Sequence, residues 1–186
     1  MLRNISVFLV ILCVSVLANA QRVHGNLESE NVFTSDAAKP QLNGYVQGSF
    51  NEKVGWSSFG ILSNGWGQLY GGPTYSPKKW ITFSGSVGFE ATDRVGWRTA
   101  ESVWIGKGKF SLLAIQEQGA VTGHWHKNVF AWQATKVVGA GVWNEFGKGT
   151  GPFVQLNISH HFDVYIAPLV NTDGKTHLIL GAHKNF

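Results

Sequence analysis

From Trp80 to Glu90 the chain reads WITFSGSVGFE and changes character at alternate positions. Ile81, Phe83, Val87 and Phe89 share one parity, and Thr82, Ser84, Ser86, Gly88 and Glu90 share the other. A two-residue period predicts a strand with one apolar face. The alternation returns in GPFVQLNIS, where Val154, Leu156 and Ile158 oppose Gln155, Asn157 and Ser159. It returns again in HFDVYIAPLVN, where Phe162, Val164, Ile166 and Val170 oppose Asp163 and Tyr165. The closing KTHLILGAHKNF sets Leu178, Leu180, Ala182 and Phe186 against His177, Gly181, His183 and Asn185. A half-buried strand in this position leaves a row of unpaired backbone groups, unless it closes a barrel against the first strand.

Turn chemistry divides the rest of the region into similar lengths: Asn64-Gly65, Pro77-Lys78-Lys79, Thr92-Asp93-Arg94, Gly106-Lys107-Gly108, Gly147 to Gly151, Ser159-His160 and Asn171 to Gly174. Ten strands are expected, near residues 53–63, 66–77, 80–91, 95–106, 109–118, 127–136, 137–146, 150–159, 161–171 and 175–186. Their lengths suit the roughly 9 to 11 residues that a tilted strand needs to cross a hydrocarbon layer. Two places leave the number open between eight and twelve. No Gly or Pro marks a turn at Lys136-Val137, and LNGYVQGSF (Leu42 to Phe50) either extends the first strand or adds another. The segment QRVHGNLESENVFTSDAAKP is polar and aperiodic, so residues 21–41 read as a flexible tail and residues 42–186 as the barrel domain.

Met1 to Ala20 combines Arg3, an apolar run from Ile5 to Leu17 and the small residues Ala18 and Ala20, the pattern of a secretory signal peptide cleaved after Ala20. The single cysteine, Cys13, lies inside that segment with Leu12 before it, which argues against lipid attachment. The exported chain would then hold no cysteine, excluding disulfides and thiolate metal sites. Charged residues make up 14% of the chain and aromatics 13%, with eight Trp. A typical soluble domain carries about 25% charged residues. The net charge of +4 is spread along the chain without a Lys or Arg run, so nucleic acid is not an expected partner.

Alternation alone does not say which face is the core. The polar parity within the strands is mainly Ser, Thr, Gly, Asn and Gln, and many charges lie near turns, as at Lys78, Lys79, Asp93, Arg94, Lys107, Lys148 and Asp173. A soluble barrel would carry about 25 to 35% charge on its outer face. Small neutral polar groups suit a confined, hydrated lumen instead. Aromatics gather near the strand ends, at Trp66, Trp80, Trp97, Trp104, Phe110, Trp143, Phe146, Phe153, Phe162 and Phe186. Rings at both ends of the strands are expected to sit at the membrane interfaces.

On these grounds the chain resembles the small outer-membrane β-barrel proteins of Gram-negative bacteria. The resemblance rests on the signal segment, the hairpin rhythm, the aromatic girdles and the closing LGAHKNF, with Gly181 and Phe186 at the positions of the family's assembly signal. Lys184 and Ile179 depart from that signal; Lys184 can lay its stem along lipid with its ammonium at the interface. The resemblance implies an all-β, closed antiparallel up-and-down transmembrane barrel in the cell outer membrane. It also implies outer-membrane lipids and the barrel-insertion machinery as partners, with small solutes as a further class.

Parity assigns the lumen to Thr82, Ser84, Ser86, Glu90, Gln155, Asn157, Asp163, Tyr165, His177 and His183, and the interfaces to Trp66, Trp80, Trp97, Trp104, Trp143 and Phe162. No nucleophile elbow or phosphate-binding glycine loop is present, so neither a catalytic residue nor a cofactor is assigned. His124 and His126 in GHWH face one way if extended, but without a third ligand they read as caps of the longest connection, Gly119 to Trp125, and no metal is assigned. His160 and His161 read as turn residues. The expected function is a porin-like or narrow channel, or a structural or surface role. The alternatives are a secreted soluble barrel that binds a small ligand or glycan through Trp, and a membrane-embedded hydrolase.

Overall fold

In the computed structural model, residues 22–35 and 37–186 are described, and the expected signal segment Met1 to Ala20 lies outside the described residues. Twelve strands follow in order: β1 (Arg22–Phe33), β2 (Ala38–Ser49), β3 (Val54–Ser63), β4 (Trp66–Lys78), β5 (Ile81–Ala91), β6 (Val95–Lys107), β7 (Phe110–Gly119), β8 (Gly123–Gln133), β9 (Val138–Glu145), β10 (Gly149–Ser159), β11 (Phe162–Val170) and β12 (Thr176–Asn185). Each pairs antiparallel with its neighbours in sequence, and β1 pairs with β12, so the sheet closes on itself. Closure removes the edge that the last strand would otherwise expose.

The first two strands correct the sequence reading. The segment expected to be a flexible tail forms β1 and the start of β2, and the barrel begins at Arg22 rather than at residue 42. β1 is held on both sides. It pairs with β12 from Asn26↔Asn185 to Phe33↔Leu178, and with β2 from Arg22↔Ser49 to Phe33↔Ala38. Phe186 extends the seam by exchanging two backbone hydrogen bonds of 3.0 Å with Gly25. Backbone pairing therefore supplies the order that the side-chain pattern of this segment does not announce.

The turn after β8 also lacks the expected signal. Thr135 takes the place of a Gly or Pro: its hydroxyl accepts the N–H groups of Val137 and Val138 at 3.1 and 3.0 Å, while its own N–H reaches the Val138 carbonyl. A hydroxyl that mimics a backbone acceptor makes a turn without special φ. The connection expected to be longest is instead a short turn, Ala120 to Thr122, and His124 and His126 lie on β8 rather than in a loop. Elsewhere the turn residues do what their chemistry suggests. Gly65 and Gly108, for instance, adopt φ of 76° and 64°.

The register fixes which side chains share a face. Glu28, Asn43, Ile61, Gln68, Glu90 and His183 follow one another across paired strands on the buried side. The other parity is exposed and oily, with Leu62, Val87, Phe89, Phe130, Val154, Leu156, Ile158 and Ile166 among the exposed side chains. Such a surface is far larger than the scattered apolar patches of a soluble monomer. Twelve antiparallel strands bring the start of β1 and the end of β12 to the same rim, called the near rim below; the β3–β4, β5–β6, β7–β8 and β9–β10 turns lie at the far rim.

Candidate functional site

The lumen is the concave surface that this register builds, and its chemistry differs from the neutral polar lining expected. Glu28, Glu30, Glu90, Glu117, Glu145 and Asp163 are all buried on the inward face. Among the described residues, the inward cations are Arg98, which is buried, Lys127, and Lys148, which reaches in from the β9–β10 turn, with Lys39 exposed at the far rim. The recurring unit is one basic side chain held between two carboxylates.

The first unit joins β5, β6 and β7. Arg98 Nη1 lies 2.7 Å from Glu90 Oε2, and Arg98 also grips Glu117 through Nε, at 2.7 Å, and through Nη2. Glu117 further accepts Tyr70 Oη at 2.7 Å, drawing in β4. Glu90 accepts the backbone N–H groups of Val121 and Thr122 at 2.6 and 3.1 Å and the Thr122 hydroxyl at 2.5 Å. These bonds fold the β7–β8 turn inward over the lumen. The glycines make room for it, since a Cβ at Gly119 would collide with the Glu90 carboxylate and one at Gly96 would press on Val121.

The second unit centres on Lys148, whose Nζ is 2.7 Å from both Glu30 Oε1 on β1 and Glu145 Oε1 on β9. That pairing spans β10, β11 and β12, so it crosses the lumen near the far rim. Burial pulls the Lys148 ammonium down, but Glu145 and Glu30 more than offset this and hold it above the ordinary lysine range. The third unit is His183, whose Nε2 is 3.0 Å from Glu28 Oε1 and whose Nδ1 is 2.7 Å from Asp163 Oδ1. Asn43 donates to Glu28 at 2.7 Å, and the Tyr165 hydroxyl donates to Glu28 and lies 3.1 Å from Glu30.

An apolar plug sits against these charges. Ala167, Leu169 and Ile179 are fully buried and pack with Trp143, Phe153 and Tyr165, and the Trp143 and Tyr165 ring centroids are 5.5 Å apart. Lys127 Nζ lies over Trp143 at 3.9 Å from the ring centroid. Ile179, a departure from the terminal-strand pattern, is thus a lumenal core residue. A glycine at 181 is needed because the Tyr165 ring lies where a Cβ would be.

The residues singled out from the sequence divide as follows. Thr82, Ser84, Ser86, Glu90, Gln155, Asn157, Asp163, Tyr165, His177 and His183 all stand on the inward parity. Only Glu90, Asp163, Tyr165 and His183 belong to the charge clusters; His177 Nδ1 donates to the Lys148 carbonyl at 2.8 Å. Among the interface aromatics, Trp97 and Phe162 point outward and are exposed, and Trp80 is exposed in the β4–β5 turn. Trp66, Trp104 and Trp143 are corrected, for they stand on the inward parity, Trp143 at 4% exposure. Phe153, also expected at an end girdle, is buried inward at 5% exposure. Proximity to a turn does not tell the two faces apart, because both faces reach the rim.

Sequence reasoning missed Glu28, Glu30, Arg98, Glu117, Lys127 and Glu145. Parity would have placed Arg98, Glu117 and Glu145 inward, but their partners come from other strands and no local spacing reveals them. Among the described residues, no group of three or more His, Cys, Asp or Glu side chains is arranged to hold a metal ion.

No protein-family model matches this chain, and no curated protein matches it. Solved structures do. A KdgM porin in complex with disordered oligogalacturonate is similar at 13% identity with a TM-score of 0.66, covering 87% of this chain and 99% of that one. A KdgM porin at 12% identity gives 0.64 over the same shares, 87% and 99%. A NanC porin at 7% identity gives 0.58, covering 85% of this chain and 98% of that one. The fold is therefore that of small porins.

Proposed function

We propose that the chain is an outer-membrane channel of narrow bore for small solutes, favouring neutral and cationic ones over anions. The shared fold with porins supports a channel, and the exposed apolar belt supports a place in lipid rather than in solution. The observation that carries the selectivity is the lumen's charge arrangement. Arg98 and Lys148 are each held between two carboxylates, and both His183 nitrogens face carboxylates, so among the described residues buried acidic groups outnumber cations along the passage. A low-dielectric wall of one sign concentrates counter-ions and repels ions of its own sign.

The KdgM porin complex holds oligogalacturonate, a chain of carboxylated sugars. Among the described residues such a polyanion would meet Lys127 and the rim residue Lys39 but no continuous cationic track, and the inward β7–β8 turn with the Trp143 and Ile179 cluster narrows the way. The lumenal carboxylates are engaged with cations and hydroxyls, an arrangement that favours a conduit over a catalyst. The signal segment Met1 to Ala20 fits export of such a protein.

The test is a reversal potential. The purified protein, inserted in a planar bilayer of neutral lipid under a KCl gradient, is expected to conduct with the sign of cation preference. An anion-selective reversal potential overturns the assignment of charge to the passage.

A further inference from the structure

The outer wall carries a polar stripe where the membrane reading requires hydrocarbon. Glu101 is the central residue of β6, a strand of 13 residues, and it points outward, since Arg98, Ala100 and Ser102 are the inward set. In register beside it lie Gln116 on β7 and then His126 on β8, with Gln118 and His124 one step toward the far rim. Asn128 and Asn144 continue the stripe on β8 and β9, joined by a 3.4 Å hydrogen bond, and Asn144 donates to Thr150 at 2.7 Å.

Glu101 and Gln116 are exposed, and neither side chain has a hydrogen bond or ion pair among the described residues. On β5, β10, β11 and β12 the mid-strand outward positions are instead residues such as Phe83, Val87, Leu156, Ile166 and Leu180. A carboxylate and an amide facing hydrocarbon without partners are costly, and polar groups at such depth are expected to meet protein. The wall is also dented here. A groove of about 680 Å³ includes Glu101, Gln116 and Asn128 in its lining, and the small residues Gly85 and Ala114 let another surface approach the backbone.

We infer that this stripe is the contact face for a second copy of the same chain, an inference that rests on the membrane reading above. Two barrels inserted in the same direction are related by a two-fold axis along the membrane normal, and a two-fold contact presents one patch to itself. Charge and hydrogen-bonding character are distributed to suit that. The carboxylate of Glu101 stands at one side of the stripe, the imidazoles of His124 and His126 at the other, and the Gln116 and Gln118 amides between them. Strands are about 4.8 Å apart, so Glu101 and His126 stand roughly two spacings from each other across the face. An axis beside Gln116 sets each Glu101 toward the partner's histidines and the two Gln116 amides, donor and acceptor both, against each other. The contact satisfies the groups that a lone barrel leaves facing lipid.

Cross-linking tests it. In a Cys13→Ser background, which removes the only cysteine, single Gln116→Cys and Leu156→Cys variants of the full chain are produced in the outer membrane of a Gram-negative host. The membranes are treated with a short bis-maleimide. Gln116→Cys is expected to give a band of twice the monomer mass, Leu156→Cys, three strands round the wall on β10, to stay monomeric, and Glu101→Leu added to Gln116→Cys to lower the dimer to the Leu156→Cys level. A shift in gel mobility between heated and unheated samples reports barrel insertion separately, so loss of the membrane reading is seen apart from loss of the contact. A properly inserted Gln116→Cys barrel that stays monomeric, links no better than Leu156→Cys, or links to a protein of another mass overturns the inference.

Discussion

Replacing Arg98 by Met removes the one cation shared by Glu90 and Glu117, with side-chain exposures of 2%, 0% and 2% for Arg98, Glu90 and Glu117. Breaking a buried ion pair from one side usually costs about 3 to 5 kcal/mol, because the remaining charge stays desolvated. Here both carboxylates keep other donors: Glu90 retains Val121, Thr122 and the Thr122 hydroxyl, and Glu117 retains Tyr70. The expected loss therefore sits near the lower end, about 3 kcal/mol. Urea unfolding of barrels in lipid vesicles, followed by tryptophan emission, measures it. Adding Glu90→Gln and Glu117→Gln to Arg98→Met is expected to restore most of the stability, since neutral groups need no counter-charge. A loss under about 1 kcal/mol in the single variant would mean that the trio lies in bulk-like water, as for an exposed pair. That result would refute the occluded lumen and with it the reasoning from burial.

Three further outcomes are expected. Arg at Phe83 or Leu156, outward and exposed at mid-strand, should cost about 2 to 4 kcal/mol in vesicle unfolding, with Arg at the inward Ser84 or Gln155 milder; equal penalties would reverse the assignment of faces. Gly181→Val should displace the Tyr165 ring and its bond to Glu28, costing about 1 to 3 kcal/mol and weakening the near-ultraviolet aromatic signal; an unchanged spectrum would show that the ring has room. Phe186→Glu should cut the amount of heat-modifiable barrel in cells far more than it lowers recovery on refolding into detergent, because at 57% exposure the ring contributes less than the roughly 1.5 to 3 kcal/mol of a fully buried Phe. Equal recovery in both settings would remove the assembly-signal reading.

Most of the strands from β3 to β12 were legible because they carry their own instructions, the exception being the bounds of β8, where the Thr135 hydroxyl makes a turn that no Gly or Pro announces. Alternation such as Phe83, Val87 and Phe89 against Ser84, Ser86 and Glu90 states both a strand and its two faces, and Asn64-Gly65 or Gly106-Lys107-Gly108 states where it ends. A barrel wall is built from local hairpins, so local signals go far. β1 carried no such message. Its outward positions Ser29 and Asn31 are as polar as its inward Glu28 and Glu30, and parity vanishes from the pattern. Only the backbone bonds to β12 on one side and β2 on the other make it a strand, and those to β12 exist only once the barrel has closed. The lumen divides in the same way. Parity alone turned Thr82, Ser84, Gln155 and Asp163 inward, because side-chain direction is a property of one strand. The pairing of Lys148 with Glu30, 118 positions apart, and of Tyr165 with Glu28, 137 apart, was decided by tertiary structure, since closure folds a flat order of strands into a ring and sets distant walls face to face.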